Sequence, residues 1–301
     1  MRFSYWPSTS QSWDEVLTSV GHAEATGWDG VYIADHFMGD GNAFGASSTP
    51  MLEATAVLSA LSTATERVRL ASLVFGITYR HPAVLANWAA TMDHACGGRL
   101  LLGVGAGWQE NEHEQYGIEL GPPGERIDRF EEACQVINGL LRTPATTVAG
   151  EHYTVTDALC EPKPLQDPLP LLIGGKGNRM MGVVARHADE WNMWSLADAF
   201  AERSAALDRA CEREGRDPAS VARSTQALWF PGDDARANDM IAKVAPRPAI
   251  GGSVERLRTT VGEWRDAGVD EVIVPDFTLG TGAEKREHLD AIIETVAADF
   301  H

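Results

Sequence analysis

The chain has 301 residues, 44% of them hydrophobic and 23% charged, with a formal net charge of −18. That length and composition describe a globular protein with a large core, and they suit one α/β barrel better than one sandwich or bundle. The negative charge argues against nucleic acid, which needs a basic face, and against anionic membranes; no stretch is apolar for the length of a bilayer span.

The first strand covers residues 2–6, and the N-terminus lacks the basic-then-apolar order of a signal peptide, so a cytoplasmic location is expected. A helix follows over 13–26, with Ser12 as N-cap and Gly27 as its stop. Residues 30–34 (GVYIA) form a second strand, 50–65 a helix and 68–75 a third strand. A helix over 82–96 opens on Pro82 and closes at Gly97-Gly98, and 99–104 is the fourth strand. A longer section then holds a helix over 125–141 and a hairpin over 146–155 turning at Gly150. The prolines between 162 and 170 read as a rigid lead into the next strand. The second half repeats the rhythm: strands at 171–173, 190–193, 222–228 and 271–274, and helices at 178–187, 199–214, 235–244, 254–267 and 285–298.

Eight strands separated by helices form a parallel sheet, because a helical crossover returns the chain in the same direction. Eight such units predict a closed (β/α)8 barrel filling residues 1–301 as one domain, with an insertion containing a hairpin after the fourth strand. The active site of such a barrel lies at the C-terminal strand ends.

The residues just past the strands are therefore the candidates. Asp35-His36 follows the second strand and reads either as a tuned proton donor or acceptor, or as two polar loop residues bonded to local backbone. The lip after the third strand, residues 72–82, reads as strand-on-helix packing. Gly103-Val104-Gly105-Ala106-Gly107-Trp108 fails the dinucleotide spacing, which requires glycine where Trp108 stands. Its glycines permit a tight turn or close backbone approach to a ligand, and Asn111 lies a turn further on to present an amide. Gly174-Gly175-Lys176-Gly177 precedes a helix, so its free N–H groups and the positive end of the helix dipole favour a phosphate over a plain turn. Trp6, Trp108, Trp191, Trp194 and Trp229 stand near strand ends, where they either wall a flat pocket or pack as core and rim. The four cysteines form no C-x-x-C pair and read as buried thiols. No H-E-x-x-H occurs, and the run 110–114 (ENEHE) reads as an exposed acidic helix face; no metal is expected.

These segments also carry a resemblance. Residues 68–108, VRLASLVFGITYRHPAVLANWAATMDHACGGRLLLGVGAGW, resemble the signature region of luciferase-like oxidoreductases, particularly the actinobacterial F420-dependent group. GWDGVYIADHF (27–37), ERIDRFEEA (125–133), GEHYTV (150–155), EPKPLQDPLPLLIGGKG (161–177) and ARHADEWN (185–192) are similar in the same order. The resemblance implies a hydride-transferring enzyme with coenzyme F420, or alternatively FMN with oxygen as a monooxygenase, acting on a small organic substrate. It implies a ring in the barrel mouth, backed by a non-prolyl cis peptide at Ser72–Leu73, with Gly107, Asn111, Gly174, Gly175, Lys176 and Gly177 holding its chain and phosphate. His36, beside Asp35, becomes the acid/base candidate, and Trp6, Trp108 and Trp191 face substrate. The sugar-phosphate dehydrogenases of this group have glutamate where Trp108 stands, so an apolar or aromatic substrate is expected here. A homodimer is a further expectation from the resemblance. A non-catalytic, cofactor-binding barrel is the competing reading from another class; His36 argues against it, since a binder needs no titrating group there.

Overall fold

A parallel strand buried on both sides must hide two faces, and the alternation along this chain separates two cores. Phe3 and Tyr5, Val31 and Ile33, and Val272 and Val274 face the surrounding helices in one large apolar cluster. Trp6, Tyr32, Ala71, Leu73, Leu101, Leu172 and Ile273 form a second cluster inside the sheet. The computed structural model describes residues 1–41 and 45–301.

In chain order the elements are β1 (Arg2–Trp6), α1 (Trp13–Thr26), β2 (Gly30–Ile33), α2 (Ala54–Ala64), β3 (Arg69–Ser72), β4 (Phe75–Gly76), α3 (Pro82–Ala95), β5 (Leu100–Gly105), α4 (Glu110–Tyr116) and α5 (Pro123–Arg142). A hairpin of β6 (Thr146–Ala149) and β7 (Thr154–Ala158) follows, then β8 (Leu171–Gly174), α6 (Asn178–His187), β9 (Glu190–Trp194) and α7 (Ala197–Arg213). The chain ends with β10 (Ala222–Gln226), β11 (Leu228–Pro231), α8 (Asp234–Val244), β12 (Ala249–Gly252), α9 (Val254–Asp266), β13 (Glu271–Pro275) and α10 (Gly282–Ala291). Among the described residues, β3, β2, β1, β13, β10, β9, β8 and β5 pair in parallel, and the β3–β5 pairing closes the ring. This is the expected eight-stranded barrel, and β6–β7 is the expected hairpin in the insertion.

Local chemistry explains several boundaries. Ser12 accepts from the Glu15 N–H, and Gly27 ends α1 at φ 94°, a left-handed conformation open to glycine. Pro82 opens α3, and Pro123 stands in the first turn of α5. The second helix starts at Ala54 and not at residue 50, because Glu53 caps it by accepting from Ala56, while Pro50 bridges Met38 in extended chain. The third strand breaks into β3 and β4 around Leu73 and Val74. The strand at 222–228 splits too: β11 leaves the barrel and pairs with β12, a strand the periodicity missed. Its sequence, Ala249-Ile250-Gly251-Gly252, is short and half glycine.

The barrel floor is ionic. Glu271 accepts from Arg2 Nε at 2.9 Å, from Tyr32 at 3.1 Å and from the Ser4 hydroxyl. Arg69 bonds Glu190 at 2.8 Å and lies 3.5 Å from Glu271. Two carboxylates and two guanidiniums thus close the N-terminal end. All four cysteines are buried thiols. Among the described residues no helix is long and apolar enough to cross a membrane.

Candidate active site

The C-terminal strand ends open on a cavity of about 1140 Å³. Leu73 and Val74 supply one apolar surface of it, and the peptide between them is cis. The resemblance had placed that bond at Ser72–Leu73. Leu73 N–H still donates to Ile33 O at 2.8 Å, so the ladder runs through Leu73 and the chain departs one residue later. Glycines admit the departure. A Cβ at Gly105 would meet Val74 Cγ2 at 2.7 Å, and one at Gly103 would lie 1.9 Å from the Ser72 carbonyl oxygen. Ser72 sits behind this surface, fully buried, its hydroxyl donating to Gly103 O at 2.8 Å. It supports the bed and does not line it.

His36 stands at the rim. Its Nδ1 lies 3.2 Å from Glu112 Oε2, and Trp108 meets the imidazole edge-on with ring centres 5.4 Å apart. Glu112 overturns the expectation of an exposed acidic face, because Glu112 and His113 are both buried. Helix α4 turns them inward. His113 is held between Gln109 O at 2.7 Å and Thr78 Oγ1 at 2.8 Å. Glu112 also accepts from the backbone N–H groups of Phe37 at 2.6 Å and Met38 at 3.1 Å, and from the Tyr79 hydroxyl. Burial pushes the Glu112 carboxyl up, but His36, Tyr79 and the Phe37 amide outweigh it and hold it below its ordinary value. Burial, reinforced by Glu112, pushes the Tyr79 phenol up, so it stays protonated and donates.

Asp35 is not the carboxylate that meets His36. It is buried and gripped by the Arg80 fork at 2.7 and 2.9 Å, and it accepts from Gly76 N–H at 2.9 Å. Burial raises its pKa against the pull of Arg80. Arg80 also pairs with Glu53 and lies over Phe75 at 5.1 Å. Asp35 therefore locks the loop after β2 to the segment after β4, with one edge toward the cavity.

Gly174, Gly175, Lys176 and Gly177 line another part of the cavity wall together. Gly177 caps α6 without a side-chain capping hydrogen bond, and among the described residues nothing lies within 4 Å of a Cβ built on Gly177. Gly107, at φ 84°, turns the chain so that Trp108 reaches the rim, and its carbonyl accepts from Arg126 at 3.0 Å. Trp6, Trp194 and Phe277 make an aromatic cluster, with Trp6 5.6 Å from Trp194 and 5.0 Å from Phe277.

Besides Ser72, two predicted residues lie off the cavity wall. Asn111 donates to Gly39 O at 2.8 Å, on the side of α4 that braces the loop after β2 and not on the cavity wall. Trp191 is fully buried, stacked on Phe200, with its indole donating to Gly175 O at 2.7 Å; its side points to the helices because strand residues alternate. It supports the glycine turn from behind. Trp229 is likewise buried in the core. Sequence reasoning missed Glu112, Tyr79, Arg80, Arg126, Asn192, Gln226 and Arg247. Asn192 and Gln226 line the cavity and bond each other at 2.8 Å. Asn192 stands between two tryptophans and a methionine in β9, which was its signal, whereas Gln226 ends the mostly polar β10 and carried none. Arg247 lies on the cavity wall just before the unrecognised β12.

The luciferase-like monooxygenase family matches residues 1–298. The chain belongs to this family and carries its fold, and it is an oxidoreductase. The F420-dependent glucose-6-phosphate dehydrogenase of Microbacterium testaceum (strain StLB037) is 32% identical over 244 residues, which is 78% of this chain and 70% of that protein. Pyrimidine monooxygenase RutA of Cronobacter sakazakii (strain ATCC BAA-894) is 30% identical over 176 residues, 56% of this chain and 51% of RutA. Among solved structures, an F420-dependent secondary alcohol dehydrogenase in complex with an F420–acetone adduct superposes with a TM-score of 0.85 at 18% identity, covering 99% of this chain and 98% of that one. The F420-dependent tetrahydromethanopterin reductase of Methanopyrus kandleri gives 0.82 at 16% identity, covering 100% and 99%. At such identities these two likenesses concern the fold.

Proposed function

We propose that the protein is an F420-dependent oxidoreductase transferring hydride between coenzyme F420 and a small apolar or aromatic organic substrate. The observation that carries this reading is the reversed charge of the cavity. In a chain of net charge −18, its wall holds Arg126, Lys176 and Arg247; the carboxylate of the wall, Asp35, is neutralised by Arg80, and Asp40 acts on Arg247 from nearby. Lys176 at the N-terminus of α6 suits a phosphate, and further cations on the cavity wall suit the longer anionic tail of F420 better than the single phosphate of FMN. The residues fit the group: Leu73 and Val74 give a flat apolar bed, and Gly174 to Gly177 with Lys176 give the phosphate end. When bound, the deazaflavin ring supplies the hydride donor or acceptor. His36 gives or takes the accompanying proton, and Trp108 shields the rim from water.

Calorimetric titration with F420 and, separately, with FMN tests the proposal. Tight F420 and weak FMN binding is expected. The reverse preference moves the protein to the flavin monooxygenases, the reading that the RutA relationship favours.

Trp108 is half exposed and lies against His36, where a sugar-phosphate dehydrogenase would present a carboxylate. Trp108→Ala is expected to raise substrate KM by about 10-fold or more, as loss of a packed aromatic surface does, with F420 affinity changed less than threefold. Equal loss of both affinities refutes a substrate-facing role.

A further inference from the structure

We propose that Asp276 is a positioning residue for the substrate wall of the cavity, bracketing Trp6 from both sides so that its indole stands where a substrate meets it. The inference rests on the reading of the cavity as a substrate site with Trp6 on its wall.

Trp6 lines the cavity with Trp194, yet its indole N–H is buried and has no hydrogen-bond partner among the described residues. The place of the ring is therefore set by packing and by the backbone that carries it. It lies 5.6 Å from Trp194 and 5.0 Å, edge-on, from Phe277. The backbone of Trp6 and the ring of Phe277 both converge on Asp276, a buried residue directly after β13. The Asp276 N–H donates to Trp6 O at 3.1 Å. Its Oδ1 accepts from the Ser8 N–H at 2.9 Å, and its Oδ2 accepts from the Tyr5 hydroxyl at 2.8 Å and from Gln11 Nε2 at 2.9 Å. One residue thus holds positions 5, 6 and 8, and its chain neighbour Phe277 packs on the ring between them.

Lys285 completes the arrangement. It reaches in from α10, buried, to lie 3.1 Å from Asp276 Oδ2 and 3.0 Å from Glu15 Oε1, and it donates to Gln11 Oε1. Asp276 therefore faces four donors, and an ionised carboxylate, which only accepts, satisfies them all. An amide in its place would turn N–H groups toward the Ser8 N–H on one side or toward Gln11 and Lys285 on the other. Trp6 ends its strand and Phe277 stands in a loop, so a wall built from them needs such support to keep its shape.

Fluorine spectra of protein labelled with 5-fluorotryptophan read the ring without cofactor or turnover, the Trp6 line being the one lost in Trp6→Phe. Asp276→Asn is expected to shift or split that line. Phe277→Ala, which leaves the four donors and both charges in place, is expected to do the same and guards against a misfolded Asp276→Asn. Glu132→Ala removes the acceptor of three N–H groups in the turn between β6 and β7, and it should leave the line where it is. Titration with benzyl alcohol, a small aromatic probe, should move the Trp6 line of the unmutated protein, and both variants at the bracket should need about 2–10-fold more of it, the worth of one aromatic pair. An unmoved line in Asp276→Asn overturns the proposal. So does an equal shift in Glu132→Ala, because the line would then report general loosening. A line that moves in Asp276→Asn but never with benzyl alcohol would instead overturn the substrate-facing reading of Trp6 on which the inference rests.

Discussion

Replacing His36 with alanine is expected to lower turnover by about 10²–10⁴-fold, the range that positioned acid/base groups contribute, while F420 affinity stays within a few-fold. The two effects separate because the cavity has two ends. His36 sits at the rim with Trp108, whereas the anchoring groups, Gly174 to Gly177 and Lys176, follow β8. The fold should tolerate the change. Glu112 keeps three of its four donors, the Phe37 and Met38 amides and the Tyr79 hydroxyl, so no bare buried carboxylate is left. Steady-state rates paired with calorimetric cofactor titration measure both quantities. Parallel collapse of rate and affinity would mean that His36 shapes the cavity and does not move a proton, and an unaffected rate would end the catalytic assignment.

The second large effect is expected at the opposite end of the barrel. Glu271→Ala removes the acceptor shared by Arg2, Ser4 and Tyr32 and leaves Arg2 and Arg69 with Glu190 alone. Taking one partner from a buried ionic cluster leaves uncompensated charge, which costs about 3–5 kcal/mol of unfolding free energy. Glu271→Gln, which keeps the shape and one acceptor oxygen, should lose less. Denaturant unfolding of the three proteins measures the difference. F420 affinity should not move in either variant, because the apolar layer of Tyr32, Ala71, Leu101, Leu172 and Ile273 separates the floor from the cavity. A Glu271→Ala protein as stable as the original would show that the cluster contributes no net stability.

The architecture was legible because it depends on short-range patterns. Apolar runs of strand length, separated by helices with their own caps, admit few arrangements, and Ser12, Gly27 and Pro82 announce boundaries by their own chemistry. Glycines before a helix marked one stretch of the cavity wall, and a residue in the loop just past β2, His36, marked another. Motifs of this kind carry their geometry within a few residues.

What tertiary structure alone decided is which side chains meet across the sequence. Glu112 reads as one acid in an acidic helix, yet it is buried against Phe37 and Tyr79, 75 and 33 residues away. Asp35 adjoins His36 in sequence but belongs to Arg80, 45 residues on. Trp191 and Asn192 are neighbours on one strand, and alternation sends the first into the helical layer and the second into the cavity. The order of strands and helices follows from local periodicity, whereas partners and facing directions follow from closure of the ring, which brings distant loops to one end. The sequence by itself therefore determined the barrel, the glycine turn that opens α6 and the place of His36. Closure determined that Glu112 meets that histidine and that the cavity of an acidic protein is lined with cations.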